Sequence, residues 1–276
     1  MLTRATQQVI KLKDSVLMNW LEKKQRKYAV WFGKTFRAYP KPQQSMMAIF
    51  CDFEGHYTGL TDAEQFAESG TDKLLSILRK HQLQITFDTV AELCISHPER
   101  VKKVIADGHE IACHAWRHET PKNLSAAEID NMLANAQRCF KQLDLQVKGF
   151  RSPQSAWSMS LIKALPKYHY EWSAERGNQR NAYRISKDII RLEVATDDWP
   201  IAAGTAEPEI LFKYWKDLAI ETKQQGGIIC FGIHEWIVGK YDEYANQLDS
   251  FLQQAKQILP VKKMGDIVGE HKELKR

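Results

Sequence analysis

Gly108-His-Glu-Ile-Ala-Cys-His-Ala-Trp-Arg-His118 is the stretch of this chain whose reading decides the fold. Its apolar run from Glu110 to Cys113 predicts a buried strand that ends as His114 appears, with His118 four residues later. At the carboxyl end of a strand, or on the first turn of a helix, residues i and i+4 share one face and can grip one cation. About 60 residues upstream, Met46-Met-Ala-Ile-Phe-Cys-Asp52-Phe-Glu54-Gly55 repeats the arrangement with acids: an apolar strand, then two carboxylates at i and i+2. Two histidines and a carboxylate with open positions form a common ligand set for a hydrolytic Zn²⁺ or a related divalent ion. A bare H-x-x-x-H is weak evidence. Behind a strand, and paired with D-x-E behind another strand, it is much stronger.

Outward from these sites, strands alternate with helices, which argues for parallel β/α architecture. Strands are predicted at 46–51, 84–87, 110–114, 147–151, 168–172, 190–194 and 228–233. Helices are predicted at 72–81, 98–106, 126–143, 158–165, 208–225 and 242–258. The third opens on Ser125-Ala-Ala-Glu128, a capping-box sequence. Asp52, His114, Arg151 and His234 all fall at the carboxyl ends of strands, where β/α barrels keep their catalytic groups.

The 276 residues suffice for one large α/β domain, and 43% hydrophobic with 26% charged is ordinary for a soluble globular protein. No apolar run approaches the roughly 20 residues of a membrane helix. No secretory signal is evident at the N-terminus, so a cytoplasmic location is expected. Five cysteines without framework spacing suit a reducing compartment, and Cys51, Cys113 and Cys230 read as small core hydrophobes on buried strands. The net charge of +5 is uneven: residues 1–45 hold ten Lys/Arg against Asp14 and Glu22, which leaves the rest slightly acidic. That is a poor fit to a nucleic-acid-binding surface.

Residues 1–42 read as a basic helical arm and linker ahead of a catalytic domain at 43–276. Val9, Leu12, Val16, Trp20 and Leu21 lie at helical spacing, and Pro40 and Pro42 end the arm. Its cations are interleaved with Trp20, Tyr28, Trp31, Phe32 and Phe36. Two readings follow: an apolar stripe packed across the domain, or peripheral contact of residues 1–37 with an anionic membrane surface at the inner face.

From about Met46 to His234 the motifs resemble the polysaccharide deacetylase (NodB-homology) family, in order. Asp52-Phe-Glu54-Gly55 resembles its acidic first motif, and His114-Ala-Trp-Arg-His118 its His-Ser/Thr-x-x-His second motif. Arg151-Ser-Pro153 resembles the third, Asp197-Asp198-Trp199 the fourth, and Ile228 to His234 the fifth. Leu83-Gln-Ile-Thr-Phe87 and Asp107-Gly-His-Glu-Ile111 are similar to the strands that precede its second motif. The resemblance implies a distorted (β/α)₇ barrel of the α/β class. It implies Glu54, His114 and His118 as metal ligands and Asp52 as general base, although sequence alone leaves the two acids open to exchange. It implies His234 as general acid, where the alternative is a satisfied core histidine. Asp198 would orient His234, with its neighbour Asp197 as the other candidate, and Arg151 would hold the base carboxylate. Trp199 would wall the acetyl pocket or serve the core, and the Gln154 backbone N–H would be an oxyanion donor by position.

Four positions depart from the family pattern: Glu54 for a usual Asp, Ala115 for Ser/Thr, Gln154 for an aromatic, and Gly232 for an aliphatic residue. None removes a catalytic group. Beyond the motifs, Trp116 and Trp157, with His56, Tyr57 and Trp236, lie just past strand ends and offer rings for sugar faces. His81, His97, His109, His169 and His271 show no partner pattern and read as surface or loop residues.

The expected activity is metal-dependent removal of an N-acetyl, or O-acetyl, group from a sugar or a glycan intermediate of surface-polysaccharide synthesis. The expected cofactor is a divalent metal, zinc first, with cobalt, nickel, iron or manganese as alternatives. The rivals are an allantoinase-like C–N hydrolase of small molecules and a non-catalytic glycan-binding relative. An acetylated sugar is the expected partner, and nucleic acid is not.

Overall fold

The structure, a computed structural model, describes residues 42–273. The predicted arm therefore lies, but for its last residue, outside the described residues. In chain order the elements are β1 (Met46–Phe53), α1 (Thr61–His81), β2 (Thr86–Thr89), α2 (Leu93–Ser96), α3 (Pro98–Ala106), β3 (Glu110–Cys113), α4 (Ala126–Lys141), β4 (Gly149–Arg151), α5 (Met159–Ala164) and β5 (Trp172–Arg176). There follow β6 (Tyr183–Arg184), β7 (Ile190–Val194), β8 (Thr196–Asp197), α6 (Trp199–Ala202), α7 (Pro208–Gln225), β9 (Ile228–His234), α8 (Glu235–Lys240), α9 (Asp242–Ile258) and α10 (Met264–Glu273).

The strands form one sheet in the order β6-β7-β5-β4-β3-β2-β1-β9-β8, parallel throughout except where β6 meets β7. The sheet curls into a half-barrel with helices around it. Without the two-residue strands β6 and β8 it holds seven parallel strands, the expected number.

Period-two alternation divides the core in two. On β1, Met47, Ile49, Cys51 and Phe53 face the helices, packing with residues such as Leu74, Leu78 and Leu133. Met46, Ala48 and Phe50 face the other way, into the barrel, with Trp172, Ala174, Leu192, Ile228 and Cys230. Each such side chain removed from water contributes roughly 1.5–3 kcal/mol. The same parity carries Asp52 from β1 and His234 from β9 toward the barrel interior, beyond the apolar layer. Helix α10, absent from the sequence prediction, plugs the opposite end with Met264, Ile267 and Val268. Its start is tied down by Met264 N–H to Thr86 Oγ1 at 2.8 Å and Gly265 N–H to Glu110 Oε2 at 2.9 Å.

Three further readings are corrected. Helix α1 begins at Thr61 rather than 72, because Gly70 marks close packing and no break: a Cβ there would lie 1.9 Å from the Glu235 carbonyl oxygen. The fifth strand starts at Trp172, since Leu165–Tyr168 coils into a 3-10 turn and His169 takes a left-handed φ of 64° before it. His81, His109 and His271 are buried, each with a polar partner. His81 Nε2 meets Asp249 at 2.6 Å, His109 Nδ1 accepts from Ile85 N–H, and His271 Nδ1 donates to the Ile267 carbonyl. Cys51, Cys113 and Cys230 are buried, as expected, and so are Cys94 and Cys139; all five are free. No helix among the described residues is long and apolar enough to cross a membrane.

Candidate active site

Five strand ends deliver seven polar side chains to one place: Asp52 from β1 and Glu54 just after it, His114 and His118 after β3, Arg151 from β4, Asp198 after β8 and His234 from β9. All but His118 are almost fully buried. A buried charge is tolerated only when partnered, and here each is.

Glu54 Oε2 stands 3.1 Å from His114 Nε2 and 2.7 Å from His118 Nε2. His114 Nδ1 lies 3.0 Å from the Arg151 carbonyl oxygen, which only accepts, so Nδ1 donates to it and Nε2 is the nitrogen turned toward Glu54. Two imidazole nitrogens and a carboxylate oxygen, all within 4.8 Å of one another, are a donor set that a divalent cation takes. The longer Glu54 arm thus reaches both histidines. Burial raises the Glu54 carboxyl, but hydrogen bonds from His114 and His118 outweigh it and hold it well below the usual range.

Asp52 is gripped bidentately, Oδ1 by Arg151 Nε at 2.7 Å and Oδ2 by Nη2 at 3.0 Å. Burial pushes its carboxyl up, yet Arg151, then His114 and His234, bring it below the ordinary value. Arg151 is itself seated by Nη1 to Ser155 Oγ at 3.0 Å and by stacking 4.7 Å above the Phe50 ring. That ring also accounts for Gly232, since a Cβ there would fall 2.6 Å from Phe50 Cζ. The apolar bulk expected from residue 232 comes from Phe50.

His234 Nε2 faces the acids, 3.8 Å from Asp52 Oδ2 and 3.6 Å from Glu54 Oε1. Its Nδ1 lies 2.5 Å from Asp198 Oδ1, and Asp198 Oδ2 accepts from the His234 backbone N–H at 2.9 Å and from Tyr244 OH at 2.8 Å. Of the two adjacent acids, Asp198 is therefore the one on His234. Asp197 turns to Arg176 and accepts from Trp199 N–H. Burial lowers the His234 imidazole, but Asp198 more than reverses it, holding the ring well above its usual pKa.

The turn after β3 is strained, with Ala115 at φ 65° and His118 at φ 64°. No hydroxyl supports it at residue 115. Glu119 Oε2 accepts from the Trp116 and Arg117 N–H groups, at 3.1 and 2.7 Å, and Ala115 O accepts from Ala91 N–H at 3.1 Å. After β4, Gln154 and Ser155 both take left-handed φ, 58° and 51°, a backbone that turns sharply beside Arg151.

The aromatic candidates separate. Trp199 is 46% exposed, its ring centre 6.2 Å from that of His234. Trp116 packs on the outer core with its indole N–H on Glu92 at 2.6 Å and Arg117 across one face. Trp157 is half-buried, with Arg191 4.8 Å from its ring centre. Trp236 is buried, and His56 stacks on His97 at 3.9 Å. Sequence reasoning passed over Ser155, Glu119, Asp88 and the Arg100–Glu235 pair. An acid next to His234 is the only local signal among them.

Residues 54–172 match the polysaccharide deacetylase family. Over 127 residues the chain is 25% identical to the peptidoglycan-N-acetylglucosamine deacetylase PgdA of Listeria monocytogenes, which covers 45% of this chain and 27% of that protein. The chain thus spans about a quarter of that curated relative's length. A Mycobacterium smegmatis structure assigned as a polysaccharide deacetylase superposes with a TM-score of 0.75 at 19% identity, over 87% of this chain and 94% of that one. The allantoinase PuuE superposes with a TM-score of 0.74 at 14% identity, over 84% and 93%. At such identities the likeness is one of fold. Motif order, family match and fold agree: residues 54–172 are similar to the polysaccharide deacetylase family, and the fold is that of its solved structures.

Proposed function

We propose that this protein is a metal-dependent hydrolase that removes an acetyl group from an amino sugar of a glycan, in surface-polysaccharide synthesis. The observation that carries the reading is the convergence of the seven side chains at five strand ends, with Glu54, His114 and His118 grouped within 4.8 Å of one another. The activity in the Listeria relative's name supports the substrate class.

Glu54 Oε2, His114 Nε2 and His118 Nε2 would hold the ion, zinc first by donor type. When bound, such an ion supplies Lewis-acid polarisation of a carbonyl and acidifies a water toward a pKa of about 7. Asp52, kept ionised and aimed by Arg151, takes the proton of the attacking water as general base. His234, kept protonated by Asp198, gives its Nε2 proton to the departing nitrogen. Gln154 sits on the strained turn beside Arg151, which supports its backbone N–H as an oxyanion donor. Trp199, exposed beside His234, offers a ring against the sugar or acetyl group.

The test is metal analysis of protein purified without chelator, together with acetate release from N- and O-acetylated sugars and turnover of a cyclic ureide. About one divalent ion per chain, acetate from an N-acetylated sugar, and loss of both in His118→Ala are expected. Full activity in metal-free protein, or turnover of the ureide alone, overturns the reading.

A further inference from the structure

Glu235, the residue after His234, is fully buried. Its Oε1 accepts from the Gly55 N–H at 2.8 Å and from Arg100 Nη2 at 3.0 Å. Gly55 directly follows Glu54. Arg100, from α3, is 2% exposed and held from several sides. Its Nη2 also donates to Thr71 Oγ1 at 3.0 Å and to the Ala67 carbonyl at 3.3 Å. The guanidinium lies 4.5 Å from the centre of the ring of Phe53, the residue before Glu54. One buried pair therefore joins the two strand ends that carry Glu54 and His234, and it reaches both through the backbone.

Buried ion pairs are poor stabilisers, because desolvating two charges costs about as much as their attraction returns. Their attested use is to specify geometry. Here the geometry specified is that of the peptide after Glu54. A Gly55 N–H directed at Glu235 fixes the orientation of that peptide, and with it the direction in which the Glu54 side chain leaves β1. We propose that Glu235, fixed by Arg100, is a positioning residue that aims the Glu54 carboxylate between His114 and His118. The proposal rests on the metal-site reading of Glu54.

The test uses the full chain, with Glu235→Gln, Arg100→Met and the double variant. Zn²⁺ affinity is read by competition with a chromophoric chelator, and amide hydrogen exchange of residues 54–58 is read on metal-free protein. Groups that orient a metal ligand are worth about 10–100-fold in affinity. Each single variant should therefore weaken Zn²⁺ binding at least about tenfold, and the double variant no more than the weaker single one. Exchange at 54–58 should quicken while α9 stays protected. Where a variant does not fold, Glu235→Asp and Arg100→Lys are read in the same way. Folded variants with Zn²⁺ affinity within about twofold of the parent overturn the inference and leave the pair a structural element. If the parent itself binds no Zn²⁺, the metal-site reading fails instead, and unchanged exchange at 54–58 then overturns the positioning role on its own.

Discussion

Asp198 holds His234 through two atoms at once: one carboxylate oxygen lies 2.5 Å from the ring Nδ1, and the other accepts the residue's own backbone N–H at 2.9 Å. The imidazole cannot rotate without breaking that clamp. With Tyr244 as a third donor, the carboxylate remains the acceptor although burial pushes Asp198 up, and the proton resides on His234.

This sets the sign of the pH dependence. A general acid works only when protonated, so kcat/KM should fall as pH rises through the elevated His234 pKa. Asp198→Asn removes the charge that elevates it. The alkaline limb should then move to lower pH by about one to three units, the range of one close opposite charge. An unmoved limb would show that His234 is not the acid. The folded-state pKa is raised, so the clamp's stabilisation is present below the unfolded value near 6.5 and is lost as pH rises through the folded one.

Asp52 and Glu54 should separate under substitution. Asp52→Asn should keep its divalent ion yet lose about 10²–10⁴ in kcat, the usual worth of a general base. Glu54→Gln should lose the ion, since a neutral amide replaces the oxygen that faces both histidines. Metal content after gel filtration reads both. The reverse outcome, ion lost from Asp52→Asn and kept by Glu54→Gln, would exchange the two roles.

His234→Ala should slow hydrolysis of an N-acetyl amide far more than that of an activated acetyl ester. An amine leaves only when protonated, whereas an activated phenolate leaves without help. Equal losses on the two substrates would point to a lost binding contact.

Asp88 makes a stability prediction. Its Cα is paired across the sheet with that of Asp52, it is fully buried, and neither carboxylate oxygen has a hydrogen-bond partner. Burial, then the Asp52 charge, pushes its pKa well up. An acid raised in the folded state favours folding fully only below its unfolded pKa of about 3.9, and that advantage is lost as pH rises through the folded value. Asp88→Asn removes this pH-dependent loss, so at pH 7 its Tm should equal or exceed the parent's. Near pH 4 the two should converge. A variant less stable at pH 7 would mean that the Asp88 carboxylate has a partner there.

Much of the site is legible in the sequence, because strands make chemistry periodic. Met46, Ala48 and Phe50 point into the barrel, so Asp52 must follow them, and the same two-residue step places His234 after Cys230 and Gly232. The acid and histidine pairs at the ends of β1 and β3 marked where a donor set could lie, while the resemblance, and not the spacing, singled out Glu54 over Asp52. Part of what escaped prediction lies where partners are distant in sequence. Glu235 meets Gly55 across 180 residues and Arg100 across 135, and no local pattern marks either contact. The choice of Asp198 over Asp197 rests on which carboxylate the path from β8 to β9 turns toward His234. Glu119 replaces a hydroxyl at residue 115 from two and three residues along the same turn, whereas Phe50 fills the space at Gly232 from the neighbouring strand. The sequence by itself determined the order of strands and which residues emerge at their ends, since side-chain periodicity is a property of the local backbone. Only the tertiary structure decided what holds those residues in aim, since packing density and hydrogen-bond reach join groups without regard to their distance along the chain.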